Sequence, residues 1–416
     1  MFIIHTSAFI VQRHVVVMEE AIVTGVGCLS ALGKNRLQFW AGLNRGKTGV
    51  SEITGFSREH LRNTTAGEVK TCPELLRYAQ VMSLRSRLSL FAHWAIEEAL
   101  KDSSLSRDSL KDKRVGLVLG VSLGMSLVKE TLECTDACLE SASNTLDDFS
   151  RLVDEVAETF GIHGEAMVVS TACASGTNAI GIAKDMIRYG GYDAVICGGV
   201  DTLDRMKYLG HTALSTLTPT SIKPFTAERD GTLFGEGAGI LVLEKSSALG
   251  KRVPYAVCSG AGFSCDATHV TAPDDTGAGA IHVMREALED AGVKPREVGY
   301  INLHGSGTSL NDVMESKAVQ EVFGKAAEAL PVSSIKPAIG HTMGAAGAME
   351  AVATVLSVKR QKIPPTLNVR EDDLFFPLHL IRGHSIHAVI NHALSNSFGF
   401  GGCNGAVLFS RWKGNA

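Results

Sequence analysis

Two hydrophobic patterns alternate along most of this chain. The first is a short apolar run bounded by glycine or turn residues, the mark of a strand buried on both faces. Ala21–Val26, Arg114–Gly120, Ala166–Ser170 and Asp193–Gly198 fit it, and so do Val298–Leu303, Leu330–Ser334, Ala388–Ala393 and Gly405–Ser410. The second is a longer stretch with apolar residues at helical spacing, which predicts helices over Thr145–Phe160, Ser175–Tyr189, Asn311–Phe323 and Gly344–Lys359. In Ser175–Tyr189 the residues Ala179, Ala183, Met186 and Ile187 share one face, and Gly190-Gly191 ends the helix. Alternation of this kind predicts mostly parallel sheets covered by helices on both faces.

The same element order occurs twice, which predicts an internal duplication. The expected architecture is α/β, two βαβαβαββ halves stacked as a five-layer αβαβα sandwich. The halves are expected at 19–255 and 256–412. No Pro/Ser-rich linker lies at the join near Lys251–Tyr255, so one compact unit is expected. Residues 1–18 are interrupted by Gln12, Arg13 and His14 and lack a basic leader or a small-x-small cleavage site. They make a poor signal peptide and read as an extra N-terminal segment, either an edge strand or a start placed upstream of Met18.

Composition narrows the function classes. The 416 residues are 45% hydrophobic and 20% charged, too apolar for a disordered chain. Forty Lys and Arg against 44 Asp and Glu give a net charge of −4, without the basic field of a nucleic-acid binder. No uncharged apolar run reaches the ~18 residues a membrane span needs. The nine cysteines are odd in number and scattered, which favours reduced thiols in the cytoplasm over a disulfide framework.

Reactive groups in open α/β sheets collect in loops at the carboxyl ends of strands. Those loops carry Cys173 after VVSTA, His304 after INL, and Lys336 and His341 after PVSSI; a glycine-rich segment, Ser395–Gly402, holds Phe398 and Phe400. Cys173 lies between a strand and a helix among small residues, where the helix N-terminus is expected to lower the thiol pKa and make a nucleophile. The bland reading, a buried cysteine acting as a small hydrophobe, does not account for that context. Two imidazoles donating Nε2–H, His304 and His341, can hold an oxygen on which negative charge develops. Metal is not expected, because no two of these ligands lie at short ligand spacing and Cys134/Cys138 has no histidine nearby. GLNRGKT at Gly42–Thr48 is one residue short of a phosphate-binding loop, and GVGCLS at Gly25–Ser30 lacks the third glycine of a dinucleotide fingerprint.

TACASG around Cys173, HGSGT around His304, SSIKPAIGHTMGAAG around Lys336 and His341, and SNSFGFGG resemble the β-ketoacyl-[acyl carrier protein] synthases. TGVGCLSALG and KPFTAERDGTLFGEGAG share the resemblance, which runs from about Glu20 to Phe409. It implies a thiolase-like fold and a decarboxylative Claisen condensation of a Cys-bound acyl group with malonyl-acyl carrier protein. By that resemblance Cys173 carries the acyl chain, while His304 and His341 support decarboxylation. The N–H groups of Cys173 and Phe400 form the oxyanion hole, and Phe400 gates the malonyl site. Lys336 orients the cluster by pairing with Glu315, and Ser306 and Thr308 bond the phosphopantetheine arm. No bound cofactor is implied, since substrates travel on the phosphopantetheine of acyl carrier protein. The implied partners are that carrier protein and a second subunit, either a copy of this chain or a chain-length-factor-like protein. Because carrier proteins are acidic, basic residues are expected at the tunnel mouth, with Arg85, Arg87 and Lys207 as candidates.

Within the superfamily, His341 separates this chain from the Cys-His-Asn starter enzymes. Cys403 stands where elongating synthases usually have Thr and reads as a small packed residue rather than the second cysteine of a thiolase. Thr232 replaces an aromatic, and Gly120–Met125 departs from the usual glycine-rich pattern. Both departures leave fatty-acid and type II polyketide duty open. A catalytically idle partner subunit and a coenzyme A thiolase are the remaining alternatives.

Overall fold

A computed structural model describes residues 19–84, 86–122, 149–370 and 373–414. The expected segment 1–18 lies outside these residues. Eleven strands make one sheet: β1 Ala21–Ser30, β2 Val115–Gly120, β3 Ala166–Val169, β4 Ala194–Asp201, β5 Gly237–Lys245, β6 Ala256–Cys265, β7 Tyr300–Asn302, β8 Pro331–Ser333, β9 His379–Leu380, β10 His392–Phe398 and β11 Cys403–Ser410. Their spatial order is β9-β8-β7-β10-β11-β6-β1-β5-β4-β2-β3. Read outward from the middle, β1-β5-β4-β2-β3 mirrors β6-β11-β10-β7-β8. The directions mirror as well, with two antiparallel pairings near the centre and two parallel ones beyond them on each side. This is the duplication that the element order predicted.

The two sides meet only where Ala21, Ile22 and Val23 pair with Cys258, Val257 and Ala256. Beyond that point β1 and β6 part, and each has edge N–H groups facing no strand. Val26 and Cys28 donate to Asp102 (3.0 Å) and Glu98 (2.9 Å) of helix α1, Arg87–Ser103. In the other half Ala261 and Phe263 donate to Asp290 (3.0 Å) and Glu286 (2.9 Å) of helix α4, Ala278–Asp290. Glycine lets each helix approach so closely: a Cβ on Gly25 or Gly27 runs into α1 carbonyls, and one on Gly260 or Gly262 into α4 carbonyls.

Three apolar layers follow from strands buried on both faces. Leu117, Leu119, Ile196, Ile240 and Val242 pack outward with α1 and α2 (Phe149–Phe160). Val118, Val195, Cys197, Leu241 and Leu243 face inward onto the central helices, α3 (Ser175–Arg188) and α6 (Ala346–Arg360). On the far side α4 and α5 (Ser309–Phe323) cover the second half. Helix α6 is buried from Ala346 through Val358, as expected for a helix apolar and small on all sides. The five layers are the thiolase-like sandwich that the sequence implied.

Several expected elements shift. The helix expected from Thr145 is described from Phe149; its first residues lie outside the described set, as do half of Gly120–Met125 and the Cys134/Cys138 pair. The strand expected at Ala388–Ala393 begins at His392 and continues to Phe398, so Ser395–Phe398 are strand rather than loop. Two of its buried polar residues meet other side chains: Ser397 bonds Thr177 at 2.7 Å, and the Asn396 amide lies 3.5 Å from Glu315. Strands β5 and β6 and helices α1 and α4 carry no expectation from the sequence.

Candidate active site

Each half sends a strained turn into its central helix. Ala172 (φ 49°) opens a 3-10 turn, Ala172–Ala174, that leads into α3, and Met343 (φ 52°) opens the turn Met343–Ala345 into α6. Ser175 braces the first turn, accepting from Thr171 N–H (2.9 Å) and donating to the Ala172 carbonyl (2.6 Å). Cys173 therefore stands on an elbow.

A cavity of about 410 Å³ gathers the side chains that the sequence singled out. Cys173, His304, His341, Phe400, Ser306 and Thr308 all line it. His304 and His341 meet edge to face, with ring centroids 5.2 Å apart. The Met343 N–H donates to His341 Nδ1 (3.2 Å), which places that ring's proton on Nε2. The Lys336 ammonium lies 3.2 Å from His304 Nδ1 and bonds the His304 carbonyl at 2.6 Å, so His304 also carries its proton on Nε2. Burial first, then the Lys336 charge, holds both imidazoles well below the ordinary histidine range. Both rings are neutral donors near neutral pH. Ser306 and Thr308 hydroxyls touch at 2.9 Å along the wall.

The expected Lys336–Glu315 pair does not form. Lys336 pairs instead with Glu350, in the second turn of α6, and both side chains are buried. Glu315 accepts the N–H groups of His304 and Gly305, both at 2.8 Å, and so fixes the backbone of the histidine loop. Glu350 was invisible in the sequence because AGAMEAVATV reads as core helix.

The expected low thiol pKa is also corrected. Burial pushes the Cys173 thiol up to about 11, against the pull of Lys336 and a hydrogen bond from the Phe400 N–H. Neutral imidazoles supply no offsetting charge. Alkylation of Cys173 by a small haloacetamide is therefore expected to accelerate about tenfold per pH unit through the alkaline range, without a plateau below about 11. A plateau near neutrality in peptide-resolved rates overturns that picture.

The docking candidates fare differently. Arg87 turns inward to Glu236 and the Val69 carbonyl (2.6 Å). Lys207 is buried against Asp201 at 2.6 Å, whose second oxygen accepts from Ser122 and Gly344. Neither rings a tunnel mouth, because each neutralises a buried carboxylate. Arg85 lies outside the described residues.

His211 had no signal in the sequence. Its ring stacks on Phe400 (centroids 5.3 Å, 20° between planes) and meets Phe234 edge-on, and burial lowers its pKa to about 4. Thr232, where an aromatic was expected, lines the same cavity with its hydroxyl buried and unpartnered. Among the described residues no group of three or more His, Cys, Asp or Glu is placed to hold a metal, and no helix is long and apolar enough to cross a membrane.

Comparison with known proteins identifies the family. Residues 18–248 match the family Beta-ketoacyl synthase, N-terminal domain, and 255–370 match Beta-ketoacyl synthase, C-terminal domain. The 3-oxoacyl-[acyl-carrier-protein] synthase 2 of Synechocystis sp. is 33% identical over 95% of this chain and 99% of its own length. The solved ishigamide ketosynthase/chain length factor superposes with a TM-score of 0.86 at 32% identity, covering 95% of this chain and 100% of that one. A ketosynthase bound to the hexaketide, in complex with a type II PKS acyl-carrier protein, gives 0.83 at 29% identity, covering 95% and 100%. Matched by both domain models between residues 18 and 370 and by full-length relatives over 95% of its length, the chain belongs to the β-ketoacyl synthase family.

Proposed function

We propose that this protein is an elongating β-ketoacyl-acyl carrier protein synthase, an acyltransferase working by a ping-pong decarboxylative Claisen condensation. The observation that carries the reading is a cysteine on a strained elbow sharing one cavity with two neutral imidazoles whose Nε2–H groups are free to donate. In the first step Cys173 attacks an acyl thioester, and the carrier's pantetheine thiol leaves with the proton. In the second, malonyl thioester loses CO₂, and its enolate oxygen is held by His304 and His341. The enolate carbon attacks the acyl group on Cys173; the oxyanion rests on the N–H groups of Cys173 and Phe400, and the released thiolate takes a proton from solvent. Each well-placed donor is worth roughly 3–4 kcal/mol to such a charge. Ser306 and Thr308 bond the pantetheine arm, Phe400 gates the malonyl side, and Lys336 with Glu350 positions His304.

The substrates arrive on the phosphopantetheine of acyl carrier protein, with no bound cofactor, in the cytoplasm. The residue ranges 19–255 and 256–412 are the two halves of the duplicated unit. A second reading, a ketosynthase subunit paired with a chain-length factor in a type II polyketide synthase, is favoured by the likeness to the ishigamide ketosynthase/chain length factor. Intact-mass spectrometry after incubation with acyl-acyl carrier protein tests the first step. One acyl group on Cys173, released as a two-carbon-longer ketoacyl product on adding malonyl-acyl carrier protein, supports the reading. An unmodified protein overturns it, and a requirement for a second subunit selects the polyketide assignment.

A further inference from the structure

The turn Gly399–Gly402 links β10 to β11 and brings Phe400 into the cavity, where its N–H meets the Cys173 sulfur. Immediately after this turn, Cys403 opens β11 directly opposite Cys265, the last residue of β6. The next residue pair outward, Asp266 and Gly402, is hydrogen-bonded, with Asp266 N–H to the Gly402 carbonyl at 2.9 Å. In an antiparallel ladder these pairs alternate, so Cys265 and Cys403 occupy a non-hydrogen-bonded pair, where Cα atoms lie about 4.5 Å apart and side chains are closest. That separation falls within the roughly 4.4–6.8 Å that disulfides span. The Cys265 thiol meets the Gly401 carbonyl at 3.4 Å, and after burial the neighbouring Cys265 helps push the Cys403 thiol up. Cys265 is exposed and Cys403 half-buried, unlike Cys28, Cys197 and Cys258, which are sealed in the core. Packing alone gives no reason for a thiol on an exposed strand end.

We propose that Cys265 and Cys403 are an oxidisable pair whose cross-link restrains the turn carrying Phe400. The oxidant class is a peroxide. The exposed Cys265 thiolate attacks the O–O bond and becomes a sulfenic acid, while the departing hydroxide takes up a proton and leaves as water. The Cys403 sulfur then displaces the sulfenic oxygen as a second water. Two thiols are oxidised to one disulfide, and one hydrogen peroxide is reduced to two waters. A dithiol reverses the bond by exchange. The turn is already pinned to this side by Gly401 N–H on the Val270 carbonyl (2.7 Å) and by the Asn404 amide on Asp266 (2.7 Å). A covalent tie at its root removes the remaining freedom of a segment that forms part of the cavity wall. The effect on turnover rests on the function proposed above; the cross-link itself does not.

The cross-link test uses the full chain treated with hydrogen peroxide, alkylated without reduction and digested; for the turnover readout the protein is first acylated on Cys173 for protection. The expected result is a peptide pair joining Cys265 to Cys403, two hydrogens lighter than the separate peptides and split by dithiothreitol. Condensing turnover is expected to fall several-fold and to return on reduction. Cys403→Thr and Cys265→Ser proteins are expected to start with wild-type turnover and to keep it after peroxide. Finding both residues alkylated as free thiols in treated wild type overturns the pair. Equal loss of turnover in Cys403→Thr, or a cross-link that leaves turnover unchanged, overturns the restraint of the turn. The peptide readout needs no turnover, so failure of the condensing-enzyme reading and failure of the cross-link are separate results.

Discussion

A Cys173→Ala protein is expected to accept no acyl group from acyl carrier protein, with condensing turnover reduced by about 10⁴-fold or more, the scale seen when a covalent nucleophile is removed. The size follows from the chemistry. Without a sulfur on the elbow there is no thioester for the enolate to attack, and neither imidazole can substitute, since burial holds both neutral with Nε2–H outward as donors. The same geometry predicts what survives. On the proposed mechanism, loss of CO₂ from malonyl thioester needs only the two donors and the proposed pantetheine contacts of Ser306 and Thr308, none of which this variant changes. Malonyl-acyl carrier protein should therefore still be converted to the acetyl form. Intact-mass spectrometry and a carbon dioxide assay check the two halves of the expectation. An acyl adduct retained on Cys173→Ala places the nucleophile elsewhere, and loss of decarboxylation along with loading removes the histidine pair from that step.

The parts of this site legible in the sequence share one property: each sits in a break between a strand and a helix, where small residues crowd a reactive one. Cys173 in TACASG, His304 in HGSGT and His341 in AIGHTMGAAG stand out because each follows a strand and precedes a helix amid a cluster of small residues. Glu350 shows no break, since it lies on a helix turn among alanines, and only three-dimensional packing brings Lys336 to it. Glu315 was visible but given the wrong partner. A carboxylate beside two backbone N–H groups and one beside an ammonium look alike in sequence. The same holds for the fold. Most strands with continuous aliphatic runs were readable, although β5, GAGILVLEK, was passed over; β6, written AVCSGAGFSC, shows no such run, because its glycines serve the approach of α4 rather than a turn. Basic residues were the least legible. Arg87 and Lys207 have the charge that a carrier-protein surface needs, but buried Glu236 and Asp201 claim them first.

Lys336→Met is expected to combine a large stability loss with a large activity loss, and the two can be separated. Lys336 faces the Glu350 carboxylate while also bonding the His304 carbonyl and standing at its Nδ1. Removing one partner of a buried pair costs about 3–5 kcal/mol. Glu350 can limit that cost by keeping its proton, because burial already pushes it up to about 7 even with Lys336 opposing. The sign then follows. In the variant the folded state holds a proton that the unfolded chain releases near 4.5, so folding binds protons and stability falls as pH rises above that value. Urea midpoints of Lys336→Met should go on falling above about pH 7, where the Glu350 contribution levels off in wild type. Adding Glu350→Gln, which has nothing to ionise there, should remove that slope and recover part of the stability. Turnover should not recover, since His304 Nδ1 still lacks the donor that keeps the ring proton on Nε2, a loss of about 10²–10³-fold for one misdirected donor. If the double variant regains turnover with stability, Lys336 serves Glu350 alone, and His304 is oriented by the Glu315-braced loop without it.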